Sequence, residues 1–264
     1  MSRQVSPVEL DRDVLVLKVP LATVDYDGAV SLVSDWAHSG RTAYVCAVNV
    51  HSTMEASRDA DLRGALRGAD FNVPDGVPIV WGMRALGARG QTRVFGPTLM
   101  WEVCRRAAEA GIPIGLYGST VETLAALQTT LTSACPALRI ADAISPPFRP
   151  LSDEEDAAMV ARINNSGARI VFVGLGAPKQ EKWMAEHRGR VHAVMLGVGA
   201  AFDYHAGNIR RAPLWMQRAG LEWLYRLAQD PRRLWRRYIF NNPAYLLALA
   251  RQVMRERVLH RSEM

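Results

Sequence analysis

The sequence has few cysteines and no long apolar run. Cys46, Cys104 and Cys135 are its three cysteines, and their spacing indicates neither a disulfide framework nor a zinc site. The first 13 residues contain no apolar core of a secretory signal, and residues 244–250, the longest apolar run near the end, are far fewer than the roughly 20 that a spanning helix needs. We therefore expect a cytoplasmic chain that does not cross a membrane by itself.

Lysine is also scarce, and arginine supplies most of the positive charge. The lysines are Lys18, Lys179 and Lys182. Residues 205–264 contain twelve arginines and four acids, a balance of +8, whereas the net charge of the whole chain is +6. The first 204 residues are thus slightly acidic, and the basic segment predicts a polyanionic partner, namely nucleic acid, anionic lipid or a diphosphate.

Short, continuous apolar runs alternate with longer helical patterns over residues 1–204. Such runs are typical of parallel strands that are covered on both faces. The predicted strands are residues 14–19, 43–48, 71–73, 112–117, 138–144, 169–174 and 193–197. The predicted helices are residues 24–38, 53–68 (one helix or two), 76–86, 97–110, 121–134, 152–166 and 179–188. This alternation predicts an α/β fold with an open, mostly parallel sheet, helices on both faces and ligands at the carboxyl ends of the strands.

The pattern changes after residue 204. Residues 213–229 form a predicted helical stretch with several large aromatic side chains. Asp230 and Pro231 fit an N-cap followed by proline at the first helical position. Residues 241–243, Asn-Asn-Pro, predict a break before a last helix. We therefore predict a body of residues 1–204 and a basic, aromatic-rich helical appendage of residues 205–264.

Asp75 follows a short predicted strand and lies between Pro74 and Gly76. It would project from the carboxyl edge of the sheet, where the N-terminus of the next helix would favour its ionised form. A carboxylate at this place can act as a general base, but an aspartate in a tight turn is also a common N-cap. Asn49 ends another predicted strand, and it either lines the same edge or caps the next helix.

Two glycine loops close two further strands. Gly174 and Gly176 precede a predicted helix start, where backbone N–H groups can bind an anion and where Lys179 and Gln180 can hydrogen-bond a ligand. In the second loop, Gly199 is followed by Asp203, whose carboxylate can accept hydrogen bonds from a ribose or a base. The first loop lacks the GxGxxG of a dinucleotide site and the GxxxxGK[ST] of a P-loop.

Three DxD pairs, at residues 11–13, 25–27 and 59–61, have the spacing with which many sugar-nucleotide enzymes hold a divalent cation. None of them follows a buried apolar strand. No His/Glu pair has the spacing of a zinc protease. We therefore expect no metal.

The basic segment contains arginines at helical spacing. Arg226, Arg233 and Arg236 are spaced so that they can share one helical face. The guanidinium group makes forked, charge-assisted hydrogen bonds, which suit a diphosphate. Leu234 and Trp235 would point elsewhere, to pack on the body or to enter a bilayer surface.

Three functions remain open at this point: a glycosyltransferase, a nucleic-acid-binding protein and a dinucleotide-dependent oxidoreductase. The basic segment and its aromatic residues favour nucleic-acid binding, but no recognition motif is present. The absence of GxGxxG argues against an oxidoreductase.

The motifs together resemble the WecG/TagA/CpsF family of bacterial glycosyltransferases, in the same order and over nearly the whole chain. The matching segments are Asn49, PDG at 74–76, RVFG at 93–96, GLGAPKQE at 174–181, GVGAAFD at 197–203, RAPLWMQRAGLEWLYRL at 211–227 and DPRRLWRR at 230–237. The resemblance implies a Rossmann-like fold with a C-terminal appendage that reaches the membrane.

The resemblance also implies an activity. Members transfer a hexose or N-acetylhexosamine from a UDP-sugar to a polyprenyl-diphosphate-linked saccharide, in the biosynthesis of cell-surface polysaccharide or teichoic-acid-type polymers. The transfer inverts the anomeric centre and needs neither a metal nor a cofactor. The expected partners are the UDP-sugar, the lipid-linked acceptor and an anionic membrane surface at the inner face of the cell membrane, but not nucleic acid. The resemblance leaves open whether the chain forms an oligomer.

By position, the resemblance implies that Asp75 is the catalytic base and that Arg93, Asn49 and Gln180 lie near the sugar and the diphosphate. The implied substrate-binding residues are Gly174, Gly176, Lys179, Gly199, Asp203, Arg226, Arg233 and Arg236. Many members have threonine two residues before the asparagine, where this chain has Ala47. This departure removes a hydroxyl group near the substrates, so the resemblance does not identify the donor sugar.

Overall fold

A computed structural model of the chain describes residues 11–262. These begin with an antiparallel hairpin of β1 (Asp11–Val16) and β2 (Val19–Thr23). The prediction of one strand over residues 14–19 is wrong, because Leu17 and Lys18, with φ values of 47° and 72°, form the turn between two strands. Two consecutive left-handed residues match the right-handed twist of a tight hairpin.

The other strands form one six-stranded sheet in which every neighbouring pair is parallel. They are β3 (Ala43–Val48), β4 (Phe71–Pro74), β5 (Ile114–Gly118), β6 (Ile140–Ile144), β7 (Ile170–Gly174) and β8 (Val194–Gly197). Their order across the sheet is β4-β3-β8-β7-β5-β6. The prediction of an open, Rossmann-like α/β sheet is confirmed, and the ends of these strands agree with the predicted ones to within two residues.

Helices cover both faces of the sheet, as predicted. They are α1 (Tyr26–Ser39), α2 (Val50–Arg58), α3 (Ala60–Gly68), α4 (Val77–Ala85), α5 (Gly96–Ala110), α6 (Val121–Ala134), α7 (Asp153–Ser166), α8 (Lys179–Glu186) and α9 (Ala201–His205). One apolar core contains residues of α1, α5 and α6, and the other contains residues of α2, α3 and α7. Residues 53–68 belong to two helices because Asp59 is extended and its carboxylate caps α3.

The appendage consists of α10 (Leu214–Arg218), α11 (Glu222–Gln229) and α12 (Pro231–Ser262). The stretch 213–229 is thus two helices, since Gly220 has a φ of 72° between them. Asp230 Oδ1 accepts a hydrogen bond from the Arg233 amide at 3.3 Å, which confirms the predicted cap.

The predicted helix break at residues 241–243 is wrong, because α12 continues through Pro243 for 32 residues. A proline inside a helix costs roughly 3 kcal/mol. Packing offsets this cost, since Tyr245 and Leu249 beyond the proline are buried in the same core as Ile79 and Met83 of α4. The appendage therefore shares its apolar core with the body, and the boundary at residues 204 and 205 stays a prediction.

Within residues 11–262, no helix combines the length and the apolar character that crossing a bilayer requires.

Candidate active site

Two adjoining cavities lie at the carboxyl edge of the sheet. The larger, of about 1190 Å³, extends past the ends of β5, β7 and β8, and the smaller, of about 100 Å³, lies between α4, α11 and α12. Both are lined by Asn49, His51, Asp75, Phe95 and Arg226. Asp75 thus lies where the two cavities meet.

Asp75 is held by the backbone on both sides. Its amide donates to the carbonyl oxygen of Val48 at 2.8 Å, and its Oδ1 accepts a hydrogen bond from the amide of Gly96 at 3.1 Å. Gly76, and not Asp75, is the N-cap of α4. The helix N-terminus that contacts the carboxylate is therefore that of α5, and the prediction that the following helix supplies it is wrong.

The surroundings of Asp75 favour its protonated form. Burial raises the pKa of the Asp75 carboxyl group, and Glu222 raises it further, whereas Arg93, the Gly96 amide and Arg226 lower it. The net shift is upward, contrary to the expectation that the site favours the ionised form. Because 17% of the side chain remains exposed to the cavities, the carboxylate can take a proton from a bound hydroxyl group.

Arg93 lies between two carboxylates. Its Nε donates to the backbone oxygen of Asp75, and its Nη2 lies 3.8 Å from Asp75 Oδ1. Its Nη1 donates to Glu222 Oε2 at 2.7 Å. The guanidinium carbon lies 4.1 Å from the centre of the Phe95 ring, which fixes its plane.

Helix α11 of the appendage supplies Glu222 and Arg226, four residues apart, to this site. The hydroxyl group of Tyr204 donates to Glu222 Oε1 at 3.3 Å, and the guanidinium of Arg226 lies 5.7 Å from the centre of the Tyr204 ring. Glu222 is not among the site residues predicted from the sequence. Its position one helical turn before Arg226, in the same matching segment, was the signal that could have found it.

Asn49 has both of the positions that were predicted as alternatives, at the edge of the sheet and at the N-cap of the next helix. Asn49 Oδ1 accepts hydrogen bonds from the amides of His51 at 3.0 Å and Ser52 at 3.2 Å, so that it caps α2. The same residue lines both cavities. It therefore caps a helix and borders the site at once.

Gln180 is almost fully buried, yet it is one of the residues that line the larger cavity. Its Oε1 accepts a hydrogen bond from the amide of Gly199 at 3.1 Å, and its Nε2 donates to Glu181 Oε1 at 3.0 Å. In this structure the side-chain amide thus connects α8 to the loop after β8.

The predicted glycine-loop residues come together along the larger cavity, which is lined by Gly174, Gly176, Lys179, Gly199, Asp203 and Ala47. Gly174 is required by packing, because a Cβ atom there would lie 2.7 Å from the Phe202 ring. Asp203 lies in the short helix α9 and not in a loop, and its Oδ1 accepts a hydrogen bond from Asn208 Nδ2 at 3.1 Å.

The three appendage arginines occupy different places. The prediction that they share one helical face is wrong, because α11 ends before Asp230 and Arg226 lies on a different helix from Arg233 and Arg236. Arg226 and Arg233 line the larger cavity. Arg236 lies outside both cavities, with its guanidinium 5.2 Å from the centre of the Trp235 ring.

The far end of the larger cavity has an aromatic wall that the sequence analysis missed. Trp183 stacks on Tyr117, with ring centres 4.5 Å apart, and on His187, with ring centres 4.1 Å apart. His187 Nε2 lies 2.8 Å from Asp156 Oδ1, which fixes the imidazole. Trp183 and His187 lie four residues apart at the end of α8, but their contact with Tyr117 of β5 has no sequence signal.

In the part of the chain that the structure describes, no group of three or more His, Cys, Asp or Glu side chains is placed to hold a metal ion. Asp25 caps α1, and Asp59 caps α3 and pairs with Lys182 at 2.7 Å. The independence of the reaction from metal stays a prediction.

One comparison with known proteins bears on this site. The family model described as "Glycosyl transferase WecG/TagA/CpsF family" matches residues 14–259. The match includes the residues around both cavities and the three helices of the appendage up to residue 259. It favours the glycosyltransferase over the oxidoreductase and the nucleic-acid-binding protein.

Proposed function

The chain belongs to the WecG/TagA/CpsF family of glycosyltransferases. This family acts in cell-wall polymer biosynthesis, with a nucleotide-sugar donor and a lipid-linked acceptor. From this membership we propose the reaction of the chain. It transfers a hexose or N-acetylhexosamine from a UDP-sugar to a polyprenyl-diphosphate-linked saccharide, with inversion and without a metal or cofactor. The observation that carries this proposal is the position of Asp75 at the junction of two cavities, beside cationic side chains.

The larger cavity is the proposed donor site. Its volume of about 1190 Å³ is large enough for a nucleotide sugar. The base would lie at the Trp183 end of the cavity, where Trp183 is stacked on Tyr117 and His187, and Asp203 supplies an acceptor for the ribose hydroxyls. Gly176, in the loop after β7, lines the same cavity, and its backbone amide is the proposed donor to the diphosphate.

The smaller cavity is the proposed entrance of the acceptor. Its walls include Trp223 and Tyr238 of the appendage, whose ring centres are 5.7 Å apart, and Val77 and Pro78 of the body. A sugar ring presents an apolar face that packs on aromatic side chains. Entry from this side brings the acceptor to Asp75 opposite the donor, as inversion requires.

The reaction follows from this arrangement. Asp75 takes the proton of the acceptor hydroxyl group, the hydroxyl oxygen bonds to the anomeric carbon of the donor, and the bond from that carbon to the diphosphate oxygen breaks. UDP leaves with the bonding electron pair. Arg226 and Arg233, which line the larger cavity, stabilise the charge that develops on the diphosphate.

We also propose that the appendage holds the enzyme at the inner face of the cell membrane. Large apolar side chains are exposed along α10 to α12, among them Leu214, Trp215, Trp235, Ile239, Phe240, Leu246, Leu247, Met254 and Val258. Arginines on the same helices would contact anionic headgroups. The active site, which receives Glu222 and Arg226 from α11, would then lie close to the lipid-linked acceptor.

A donor panel tests the reaction. The full-length protein is incubated with each of several UDP-sugars, headed by UDP-glucose and UDP-N-acetylmannosamine, and with a short-chain polyprenyl-diphosphate-linked saccharide, and the release of UDP is measured. We expect acceptor-dependent UDP release with one donor, unaffected by EDTA. No acceptor-dependent release with any UDP-sugar would contradict the proposal, and loss of the reaction in EDTA would contradict its independence from metal.

A further inference from the structure

Glu222 belongs to the appendage, but its carboxylate lies inside the catalytic region. Only 9% of its side chain is exposed. It contacts two side chains from the body, Arg93 Nη1 at 2.7 Å and the Tyr204 hydroxyl group at 3.3 Å. A buried carboxylate without such partners would be strongly unfavourable, so this contact fixes α11 against the site.

Arg93 forms its close ion pair with Glu222 and not with Asp75. The 2.7 Å contact to Glu222 Oε2 has the length of a charge-assisted hydrogen bond, whereas the 3.8 Å separation from Asp75 Oδ1 is too long for one. Arg93 is nevertheless anchored beside Asp75, because its Nε donates to the Asp75 backbone oxygen. Its guanidinium could turn towards the Asp75 carboxylate if Glu222 did not hold Nη1.

We propose that Glu222 is a positioning residue, which holds Arg93 away from the Asp75 carboxylate and thereby keeps that carboxylate free to accept a proton. This inference rests on the proposed role of Asp75 as the base. The appendage then has a role in the chemistry besides that of its arginines. When α11 packs against the site, Glu222 binds Arg93, which would otherwise pair with the Asp75 carboxylate.

The charges around Asp75 indicate the direction of the effect. The groups that face it are Arg93 before α5, Glu222 and Arg226 on α11, Tyr204 on α9, and His51 and Tyr238 across the cavities. Burial and Glu222 raise the pKa of Asp75, while Arg93 and Arg226 lower it. Removing the charge of Glu222 takes away one raising influence and leaves both cations, so the pKa of Asp75 falls.

The test uses the full chain with Glu222→Gln, which keeps the size of the side chain and removes the negative charge that holds Arg93. The titration of the Asp75 carboxyl carbon is followed by ¹³C NMR without substrate, and its resonance is identified by its loss in Asp75→Asn. We expect the Asp75 titration midpoint to lie at lower pH than in the wild type, because a nearby negative charge is lost while the cations remain. A matched control is Asp142→Asn, which removes a carboxylate paired with Arg162 at 2.7 Å outside both cavities and leaves the midpoint unchanged.

Kinetics supply the second measurement. In Glu222→Gln the acidic limb of the kcat/KM profile should move to lower pH by the same amount, and kcat should fall about 10-fold because the base is weaker. Glu222→Asp keeps the charge, so its kcat and the pH of its acidic limb should lie between those of Glu222→Gln and the wild type. An Asp75 midpoint in Glu222→Gln that is equal to or above that of the wild type would overturn the proposal. If no UDP-sugar is turned over, the proposed reaction fails, while the NMR titration still decides whether Glu222 acts on Asp75.

Discussion

The burial of Asp75 has a consequence for stability as well as for catalysis. Because burial raises the pKa of Asp75 in the folded state, the fold favours the protonated carboxyl group. Its contribution to stability is present below the unfolded-state pKa of about 3.9 and is lost as the pH rises through the higher folded-state value. At neutral pH the ionised carboxylate therefore destabilises the folded protein.

Asp75→Asn tests both consequences. We expect it to reduce transfer by about 100- to 10,000-fold, the usual contribution of a positioned base, with UDP binding retained. We also expect a higher melting temperature than that of the wild type at pH 7, and a difference close to zero near pH 3. Thermal unfolding at the two pH values and calorimetric titration with UDP check these points. Retention of most of the activity would reject Asp75 as the base, and a less stable Asp75→Asn at pH 7 would contradict the buried-charge argument.

At the scale of elements, the contact between α4 and α12 depends on one glycine. Tyr245 of α12 is fully buried, and its hydroxyl group donates to the carbonyl oxygen of Pro78 at 3.1 Å. A Cβ atom at Gly82 would lie 2.8 Å from the Tyr245 hydroxyl oxygen and 3.2 Å from Leu249 Cδ1. The absence of a side chain at Gly82 thus permits the close approach that keeps α12 continuous and packed beyond Pro243.

Gly82→Ala should therefore destabilise the protein by about 1–3 kcal/mol, the usual cost of overpacking, despite the higher helix propensity of alanine. The matched control is Gly64→Ala in α3, where a Cβ atom would have no neighbour within 4 Å. That change should stabilise the protein by about 0.5–1 kcal/mol. Urea unfolding gives both values. Equal effects of the two substitutions would show that α4 and α12 are not held by this contact.

At the scale of the whole molecule, the body and the appendage have surfaces of different composition. The body supplies the larger cavity, while the appendage closes the smaller one and carries most of the exposed apolar side chains among residues 11–262. Charge is divided in the same way, because residues 205–264 carry a balance of +8. An anionic bilayer is complementary to both the exposed apolar side chains and the positive charge of the appendage.

Vesicle binding tests this arrangement. The protein should sediment with vesicles that contain phosphatidylglycerol more than with neutral phosphatidylcholine vesicles, and salt should weaken the binding. The double substitution Ile239→Glu and Phe240→Glu should weaken it by about 10-fold or more, since a large buried apolar side chain contributes about 1.5–3 kcal/mol. Val121→Glu, at an equally exposed position on α6, serves as the control and should bind as the wild type does. Unchanged binding of the double variant would exclude α12 as the contact.

The six strands of the sheet and most helices were accessible from the sequence, because apolar periodicity and caps are local properties of the chain. Parallel strands bring their carboxyl ends to one edge, so the prediction that ligands bind at that edge needed only the fold class, and Asn49, Asp75, Gly174 and Asp203 line the larger cavity there. The hairpin turn at Leu17 and Lys18 could not be predicted in this way, since neither residue is typical of left-handed backbone.

What the sequence alone determined was the six strands of the sheet, most of the helices and the edge of the sheet at which the cavities lie. Only the tertiary structure decided that α12 continues through Pro243, because the burial of Tyr245 offsets the lost helical hydrogen bond. It also decided that Glu222 contacts Arg93, a residue 129 positions away, and that the charged form of Asp75 is disfavoured. Desolvation and ion pairing depend on which distant groups come into contact, and no local pattern contains that information.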